Sequence, residues 1–220
     1  MAPATRLRTK LQMLLQIESS GFALGLAILF VLLSLALPFW SISRTSGAVQ
    51  DIQSFSWVSL TTEQYTRGAW SVTTIVPYSF ASFPYPDTAG VAGNVYVLTI
   101  VLLVVLAMVL ALFRFEFSRK MPTMSLLILS LVVLGVALFA LFYPIVAIPG
   151  AATADVGTFT VGGFWGTAQP SPGVTWSWGP GLGWWLLLVG VVLGVSGAVL
   201  PYLKSLRSMV PTATTMRPST

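Results

Sequence analysis

Four apolar stretches without a charged residue constrain this chain more than any other feature of its sequence. They cover residues 21–40, 95–113, 124–147 and 184–203. A hydrocarbon layer about 30 Å thick is crossed by about 20 helical residues, so each stretch is long enough to span it. None shows the period-two alternation of a membrane β-barrel strand. The sequence therefore predicts four transmembrane helices.

Charged residues are too scarce for a water-soluble protein. Only 8% of the 220 residues are charged and 55% are hydrophobic, whereas soluble domains average about 25% charged residues. The chain also has no Cys and no His. This excludes disulfides, catalysis by a thiolate or imidazole, and metal sites built on those residues. We expect no catalytic residue, no metal and no cofactor.

The positions of the positive charges predict the orientation in the membrane. Nine of the eleven Lys and Arg residues lie in the segments 1–20, 114–123 and 204–220. Because cytoplasmic segments of membrane proteins carry the excess of positive charge, both termini and the 114–123 loop are expected in the cytoplasm. The connections 41–94 and 148–183 are then outer loops, and the chain is a multi-pass protein of the cell membrane.

The segment 1–20 is basic, and its apolar residues follow a helical spacing. It either lies on the inner membrane surface as an amphipathic helix or extends the first span into the cytoplasm. A cleaved signal peptide is a rival interpretation of this leader and the first span. The length of the leader and of the apolar run argues against it.

The outer loops contain segments typical of β-strands. Residues 54–60, 70–76, 158–161 and 174–178 are rich in aromatic, β-branched or alternating side chains. We expect them to form a small extracellular sheet on the outer ends of the helices. The predicted fold class is therefore an all-α membrane protein, a four-helix transmembrane bundle with a small extracellular β-sheet formed by the two outer loops.

Small residues recur at helical spacing in two of the spans. Gly190, Gly194 and Ala198 are four residues apart in the last span, and Gly21 and Gly25 repeat this spacing in the first. Small residues let two membrane helices approach closely. They indicate either packing between helices of one chain or an interface with a partner or a second copy.

Four tryptophans, Trp176, Trp178, Trp184 and Trp185, surround a Gly-Pro-Gly sequence at the entry to the last span. Gly and Pro end a strand, and Trp side chains at the headgroup level anchor a helix. The alternative is an exposed aromatic ledge that contacts a protein partner, a glycan or the outer lipid surface.

The remaining motifs give little support to an enzyme. Asp51 and Glu63 could act as paired carboxylates, but nothing in the sequence brings them together. No phosphate-binding GxxxxGK[ST] pattern and no basic patch facing a soluble groove are present, so we expect neither nucleotide nor nucleic acid as a partner. No ionisable residue lies within a span, although proton and ion pathways are usually marked by one.

The layout resembles the claudin-like group of tetraspan proteins. The likeness is carried by Leu37-Pro38-Phe39-Trp40 after the first span and by the strand-like pieces around Trp57 and Trp70. It implies cytoplasmic termini, a long first outer loop and a shorter second one. The Gly-Leu-Trp motif and two cysteines of the claudin first loop are absent. The span boundaries are also similar to those of four-span prokaryotic membrane proteins without a known activity.

These features favour a non-enzymatic integral membrane protein that acts by assembly. It would be an accessory subunit of a membrane complex or a self-associating envelope protein, with the lipid bilayer and a protein as its partners. A channel or transporter component is the alternative. Binding of an extracellular glycan or lipid by residues 176–185 is a further hypothesis.

Overall fold

Four α-helices and one six-stranded sheet form the structure, a computed structural model that describes residues 3–80, 82–114 and 121–209. The helices are α1 (Pro3–Leu35), α2 (Pro86–Arg114), α3 (Thr123–Val156) and α4 (Leu182–Met209). The strands are β1 (Trp40–Ser46), β2 (Val49–Phe55), β3 (Ser59–Thr66), β4 (Ala69–Pro77), β5 (Gly166–Ser171) and β6 (Val174–Pro180). Most of the predicted cytoplasmic loop 114–123 and of the tail 204–220 lies outside the described residues.

Three of the helices are long and apolar enough to cross a membrane. They cover Pro86–Arg114, Thr123–Val156 and Leu182–Leu206. The side chains of α1 are described from Ser19 onward, and this apolar part, Ser19–Leu35, is shorter. The chain therefore carries the helices of a membrane-spanning protein.

The helices form a ring in which each packs mainly against two neighbours, in the order α1–α2–α3–α4 and back to α1. On α2, Val95 and Leu102 are buried inside the ring, whereas Val97, Val104 and Met108 are exposed. Apolar residues on both faces are what a helix needs when it contacts protein on one side and lipid on the other.

A carboxylate joins the N-terminal end of α2 to the C-terminal end of α3. Pro86 begins α2 and has no N–H, and the next two N–H groups, of Asp87 and Thr88, donate to the Asp155 carboxylate at 3.0 and 2.7 Å. These donors have no partner within the helix and are usually satisfied by a capping side chain. The positive end of the α2 dipole also favours an anion here. Asp155 thus caps α2 from the last turn of α3.

The sheet combines strands from the two connections that were predicted as outer loops, in the order β4-β3-β2-β1-β6-β5, and every neighbouring pair is antiparallel. Strands β1–β4 precede α2, β5 and β6 precede α4, and the two groups meet where β1 pairs with β6. Three of its four hairpins have two-residue turns, each with a glycine of positive φ, at Gly47, Gly68 and Gly173. Arg67 also has a positive φ of 54°, as a type I′ turn requires at both central positions.

Alternate residues of the strands face opposite sides of the sheet. Trp40, Ile42, Phe55, Leu60 and Trp178 share one side, which we call the inner face, and all five are buried. The other side, the outer face, carries mostly hydroxyl side chains. They are Ser41, Ser43, Thr45, Ser54, Thr61, Thr73, Thr167, Thr175 and Ser177.

The centre of the sheet is continuous with the α1–α4 pair. The N–H of Gly181 donates to the carbonyl of Phe39 at 2.9 Å, and the N–H of Gly183 donates to that of Pro38 at 2.8 Å. A Cβ at Gly183 would lie 2.9 Å from the same Pro38 oxygen. The exit from α1 and the entry to α4 therefore touch backbone to backbone, and only glycine leaves room for this.

The predicted fold class is wrong. The chain is not all-α, and the sheet is not small, because it has six strands. Most of β1 and β3 consists of Ser, Thr and other polar residues. The alternation of apolar and polar residues that indicates a strand is therefore weak in their sequences. The expected strand 54–60 contains the turn between β2 and β3, and the expected strand 158–161 does not form. Residues 70–76 lie in β4 and 174–178 in β6.

The backbone contact at Gly183 predicts a stability effect. In Gly183→Ala the new Cβ would lie 2.5 Å from the Leu37 carbonyl oxygen and 2.9 Å from that of Ser34. Because these are backbone atoms, the chain must shift, at a cost of about 1–3 kcal/mol. We expect a lower thermal unfolding midpoint in detergent micelles. Gly162→Ala is the control, since nothing lies within 4 Å of its Cβ, and equal midpoints for the two variants would contradict the account.

The cap at Asp155 predicts a second effect. Asp155→Asn keeps one acceptor oxygen but loses the charge and the second acceptor, so one N–H of the α2 first turn loses its partner. We expect a loss of about 1 kcal/mol in the free energy of unfolding. The control, Asp87→Asn, changes an exposed residue that takes part in the cap only through its backbone N–H. A larger loss in the control than in Asp155→Asn would refute the capping role.

Candidate assembly surface

The small residues of α4 face other helices of the same chain. A Cβ at Gly190 would lie 2.7 Å from Val31 Cγ2 of α1, and one at Gly194 would lie 2.8 Å from Leu106 Cδ2 of α2. Ala198 is buried, and its carbonyl accepts a hydrogen bond of 3.0 Å from the Ser130 hydroxyl of α3. These three positions are occupied by contacts within the bundle.

The two small residues predicted in α1 do not take part in this packing. A Cβ at Gly21 or Gly25 would have nothing within 4 Å. Helix α1 instead meets α4 through Ser20, whose hydroxyl donates to the carbonyl of Gly197. A Cβ at Gly197 would also lie 2.8 Å from Leu24 Cγ. The sequence pattern missed Gly197, although it is adjacent to the predicted Ala198.

Two of the four predicted tryptophans lie on β6 and pack against the second outer connection. The ring of Trp176 is half-buried, 5.3 Å from that of Phe159, and the Arg44 guanidinium lies 5.8 Å from its centroid. Trp178 is buried, and its Nε1 donates to the carbonyl of Gly163 at 2.9 Å. Both side chains hold the loop between α3 and β5 on the inner face.

The other two tryptophans lie in the first turn of α4. Trp184 is buried, 5.5 Å from the ring of Phe164, and its Nε1 lies 3.4 Å from the carbonyl of Leu141 in α3. Trp185 packs edge-on against Trp184 with centroids 4.9 Å apart and is exposed. Among these four tryptophans, Trp185 therefore presents the most surface to its surroundings.

Two further tryptophans that were not predicted as site residues fix the sheet to its surroundings, one to the loop between α3 and β5 and one to α1. Trp40 Nε1 donates to the carbonyl of Phe164 at 2.8 Å, and Trp57 Nε1 donates to that of Ser34 at 2.6 Å. The second bond adds to the one of 3.2 Å that the N–H of Leu37 donates to the same carbonyl, in the last turn of α1. Both rings are buried, as expected of indoles whose N–H has found an acceptor.

Four hydroxyl groups within the apolar helices are hydrogen-bonded to their own helix. Ser34, Thr99, Ser130 and Ser196 each donate to a carbonyl three or four residues earlier in their own helix. This is the usual behaviour of hydroxyls in helices without access to water.

A polar cluster lies between the inner face and the start of α2. Burial raises the pKa of Tyr85. A hydrogen bond from Gln53 lowers this pKa, nearby Asp155 and Asp51 raise it, and Arg44 lowers it. Asp51 Oδ1 and Gln53 Oε1 are buried without a hydrogen-bond partner among the described residues. The cluster gathers opposite charges and amides around one phenol.

The carboxylates of the sheet do not form a pair. Asp51 lies on the inner face and Glu63 on the outer face, because their positions in β2 and β3 differ by one residue in the register. Glu63 accepts a hydrogen bond of 3.0 Å from the Tyr65 hydroxyl, and this bond raises the pKa of Tyr65. Within residues 3–80, 82–114 and 121–209, no group of three or more acidic side chains is placed to hold a metal ion.

The edge strand β4 is the most exposed part of the sheet. Of its nine residues only Val76 is half-buried, and Trp70, Val72 and Ile75 are 62%, 48% and 66% exposed. Val72 and Ile75 point to opposite faces, so neither face of the strand is covered. The strand has no charged residue, and its bulge at Ser71 and its final residue, Pro77, leave the segment 72–76 between them regular. A long, uncharged, apolar edge is a template for another strand, and native sheets usually block one with Lys, Pro or a bulge.

The opposite edge, β5, has such protection. It is shorter, it contains Pro170, and its pairing with β6 is irregular between Ala168 and Ser171. A proline removes a donor from the ladder, and a bulge bends the edge away from a partner strand. The two edges therefore differ in their capacity to accept another strand.

Tyr78 attaches the end of β4 to the turn between β2 and β3. Its N–H donates to the carbonyl of Val58 at 3.1 Å, its hydroxyl donates to that of Ser56 at 2.5 Å, and its ring packs edge-on against Phe83. Burial raises the pKa of Tyr78 above its ordinary value. The C-terminal end of β4 is thus fixed to the turn between β2 and β3, while the side of β4 away from β3 is the edge of the sheet.

In comparisons with known proteins, the chain matches no protein-family model and no curated sequence. The resemblance to claudin-like tetraspan proteins therefore rests on layout alone.

The anchor at Tyr78 predicts a pH dependence. Folded Tyr78 keeps its proton at pH values where an unfolded tyrosine, with a pKa of about 10, has lost it. Its contribution to stability is therefore complete below pH 10 and declines as the pH rises beyond that. Tyr78→Phe removes the bond to Ser56 and should cost about 1 kcal/mol near neutral pH. The gap between the variant and the wild type should narrow towards pH of about 11, as measured by thermal midpoints in detergent. A constant gap across this range would contradict the buried-phenol account.

Proposed function

We propose that this chain is a non-enzymatic integral membrane protein that acts by assembly through its outer sheet. It crosses the cell membrane four times, with both termini in the cytoplasm, and serves as an accessory subunit of a membrane complex or as a self-associating envelope protein. The exposed, uncharged edge of β4 is the observation that carries this proposal.

The packing of α1 along α4 supports a fourth span. Ser20 of α1 meets Gly197, and Val31 meets Gly190 near the other end of the same contact. The two helices thus run antiparallel through the same layer. The apolar part of α1 extends along this contact with α4. Phe22, on the side of α1 away from α4, is exposed as a lipid-facing residue would be.

Exposed apolar side chains support the placement of the junction between sheet and helices at a membrane–water interface, and the positive charges support the outer side. These apolar side chains lie where the strands meet the helices, at the level that aromatic and large aliphatic residues occupy in the headgroup region. They are Val58, Phe80, Trp165, Leu182 and Trp185. Nine of the eleven positive charges lie in the segments at the other ends of the helices.

The chemistry of the described residues favours contact over reaction. Four hydroxyls of the spans, Ser130 among them, donate to a carbonyl of their own helix, and the hydroxyls of Ser20 and Ser130 donate to carbonyls of α4. Asp51 and Glu63 lie on opposite faces of the sheet. The β4 edge, in contrast, offers backbone N–H and C=O groups to a partner, and strand addition at a sheet edge is a common mode of protein recognition.

A charge placed on β4 tests the proposal. Thr73 lies on the outer face directly opposite Glu63, so Thr73→Lys gains a cross-strand partner and the sheet should fold. A lysine on an edge opposes strand addition. If this costs about 1.4 kcal/mol, the association constant falls roughly tenfold, and the assembled fraction falls with it. The measurement is native mass in mild detergent, with chemical crosslinking in membranes.

Thr167→Lys is the matched control, because Thr167 lies on the outer face of the opposite edge strand, β5. This variant adds the same charge and should leave the native mass of the assembly unchanged. A wild-type protein that is monomeric and co-purifies with no partner would refute the proposed function. Equal effects of the two lysines would show that assembly does not use β4.

A further inference from the structure

We infer that the β4 edge pairs with the β4 edge of a second copy of this chain, antiparallel about a two-fold axis at Thr74. The inference rests on the proposed function and names its partner. The pairing would extend two six-stranded sheets into one continuous sheet across the dimer.

The sequence of β4 limits the segment that can pair. The pairing of β3 with β4 shifts between Gln64 and Tyr65, so Ser71 forms a bulge in β4. Pro77 ends the strand and has no N–H to donate. The regular part of the edge is therefore the five residues from Val72 to Val76, and its centre is Thr74.

Only one two-fold register keeps both irregular residues outside the paired segment. In a continuous antiparallel sheet, directly opposed residues lie on the same face. The two-fold axis must therefore pass through a residue position, because an axis between two positions would oppose residues from different faces. An axis at Thr73 would pair Ser71 with Ile75, and an axis at Ile75 would pair Thr73 with Pro77. The axis at Thr74 avoids both.

The pairs made in this register suit a β-sheet. Val72 lies opposite Val76 of the second copy, Thr73 opposite Ile75, and Thr74 opposite Thr74. All five residues are β-branched, and β-branched and Thr–Thr cross-strand pairs each contribute about 0.2–1 kcal/mol. No like charges meet across the axis, because β4 has no charged residue.

The difference between the two sheet edges favours this closed arrangement. Pairing of β4 with β5 of another copy would be head-to-tail and would continue into a larger ring or an open filament. Strand β5 is shorter and interrupted at Pro170. A β4–β4 contact uses the regular edge twice and stops at two copies.

The absence of cysteine from the chain allows a direct test of the register. Single-cysteine variants of the full chain are oxidised in native membranes with copper phenanthroline and analysed by non-reducing electrophoresis. Directly opposed Cβ atoms are within reach of a disulfide, whereas positions displaced by two residues are not. Thr74→Cys should therefore form a covalent dimer, with a yield roughly tenfold above that of Thr73→Cys or Ile75→Cys alone.

A mixture of two variants guards against a folding defect in Thr74→Cys. Thr73→Cys and Ile75→Cys carried by differently tagged copies should crosslink to each other although neither dimerises efficiently alone. Thr167→Cys on β5 is the control and should remain monomeric. Comparable yields at positions 73, 74 and 75, or dimers of Thr167→Cys alone, would overturn the register.

The outcomes also separate this inference from the proposed function. If neither Thr74→Cys nor the mixed pair crosslinks while Thr73→Lys still reduces the native mass, β4 binds a different protein, and only the inference fails. If the wild type is monomeric without a partner, both fail. Crosslinking of Thr74→Cys and of the mixed pair supports both.

Discussion

Two backbone hydrogen bonds between the exit of α1 and the entry of α4 hold the architecture together. The N–H groups of Gly181 and Gly183 donate to the carbonyls of Phe39 and Pro38, directly beside the first pair of β1 and β6, Trp40 with Pro180. Because the helices α1 and α4 are neighbours, the strands that continue them are neighbours too. The register of the sheet is thus set by the bundle, and the side chains of Trp40 and Trp57 strengthen the connection through their N–H groups.

The helices could be predicted from the sequence and most of the sheet could not, for one physical reason. A span in lipid must be apolar around its whole circumference, so its signal is strong in any single chain. A strand on the surface needs only one apolar face, and in β1 that requirement is met by Trp40 and Ile42 alone. The positive φ of Arg67 gives no sequence signal, since the residue is an ordinary one in a glycine position. Residues 158–161 have strand composition, yet they lie in a loop because Phe159 packs against β6.

The residues of the candidate site were harder to predict from the sequence than the fold. Small residues predict close helix contacts, and Gly190 and Gly194 make them, whereas Gly21 and Gly25 have no neighbour within reach of a Cβ. Spacing places a residue on a helix face, but it does not say which face meets another helix. In the same way, the composition of β4 predicts a strand and not an edge. Whether a strand is central or peripheral depends on pairings made by distant parts of the chain, here β1 with β6.

The position of the β1–β6 pair within the sheet also explains why β4 is the more exposed edge. Three strands follow β1 on one side, whereas on the other side only β6 and the short β5 follow. At about 4.8 Å per strand, β4 lies about 14 Å from β1, beyond the inner-face residues that pack on the helix ends. Its own side chains therefore gain little burial, and it is fixed chiefly by β3 and by Tyr78. An added strand would cover this edge without changing any contact of the bundle. In the proposed assembly, the membrane helices hold the sheet in place through its central strands, and its exposed edge is the part that binds.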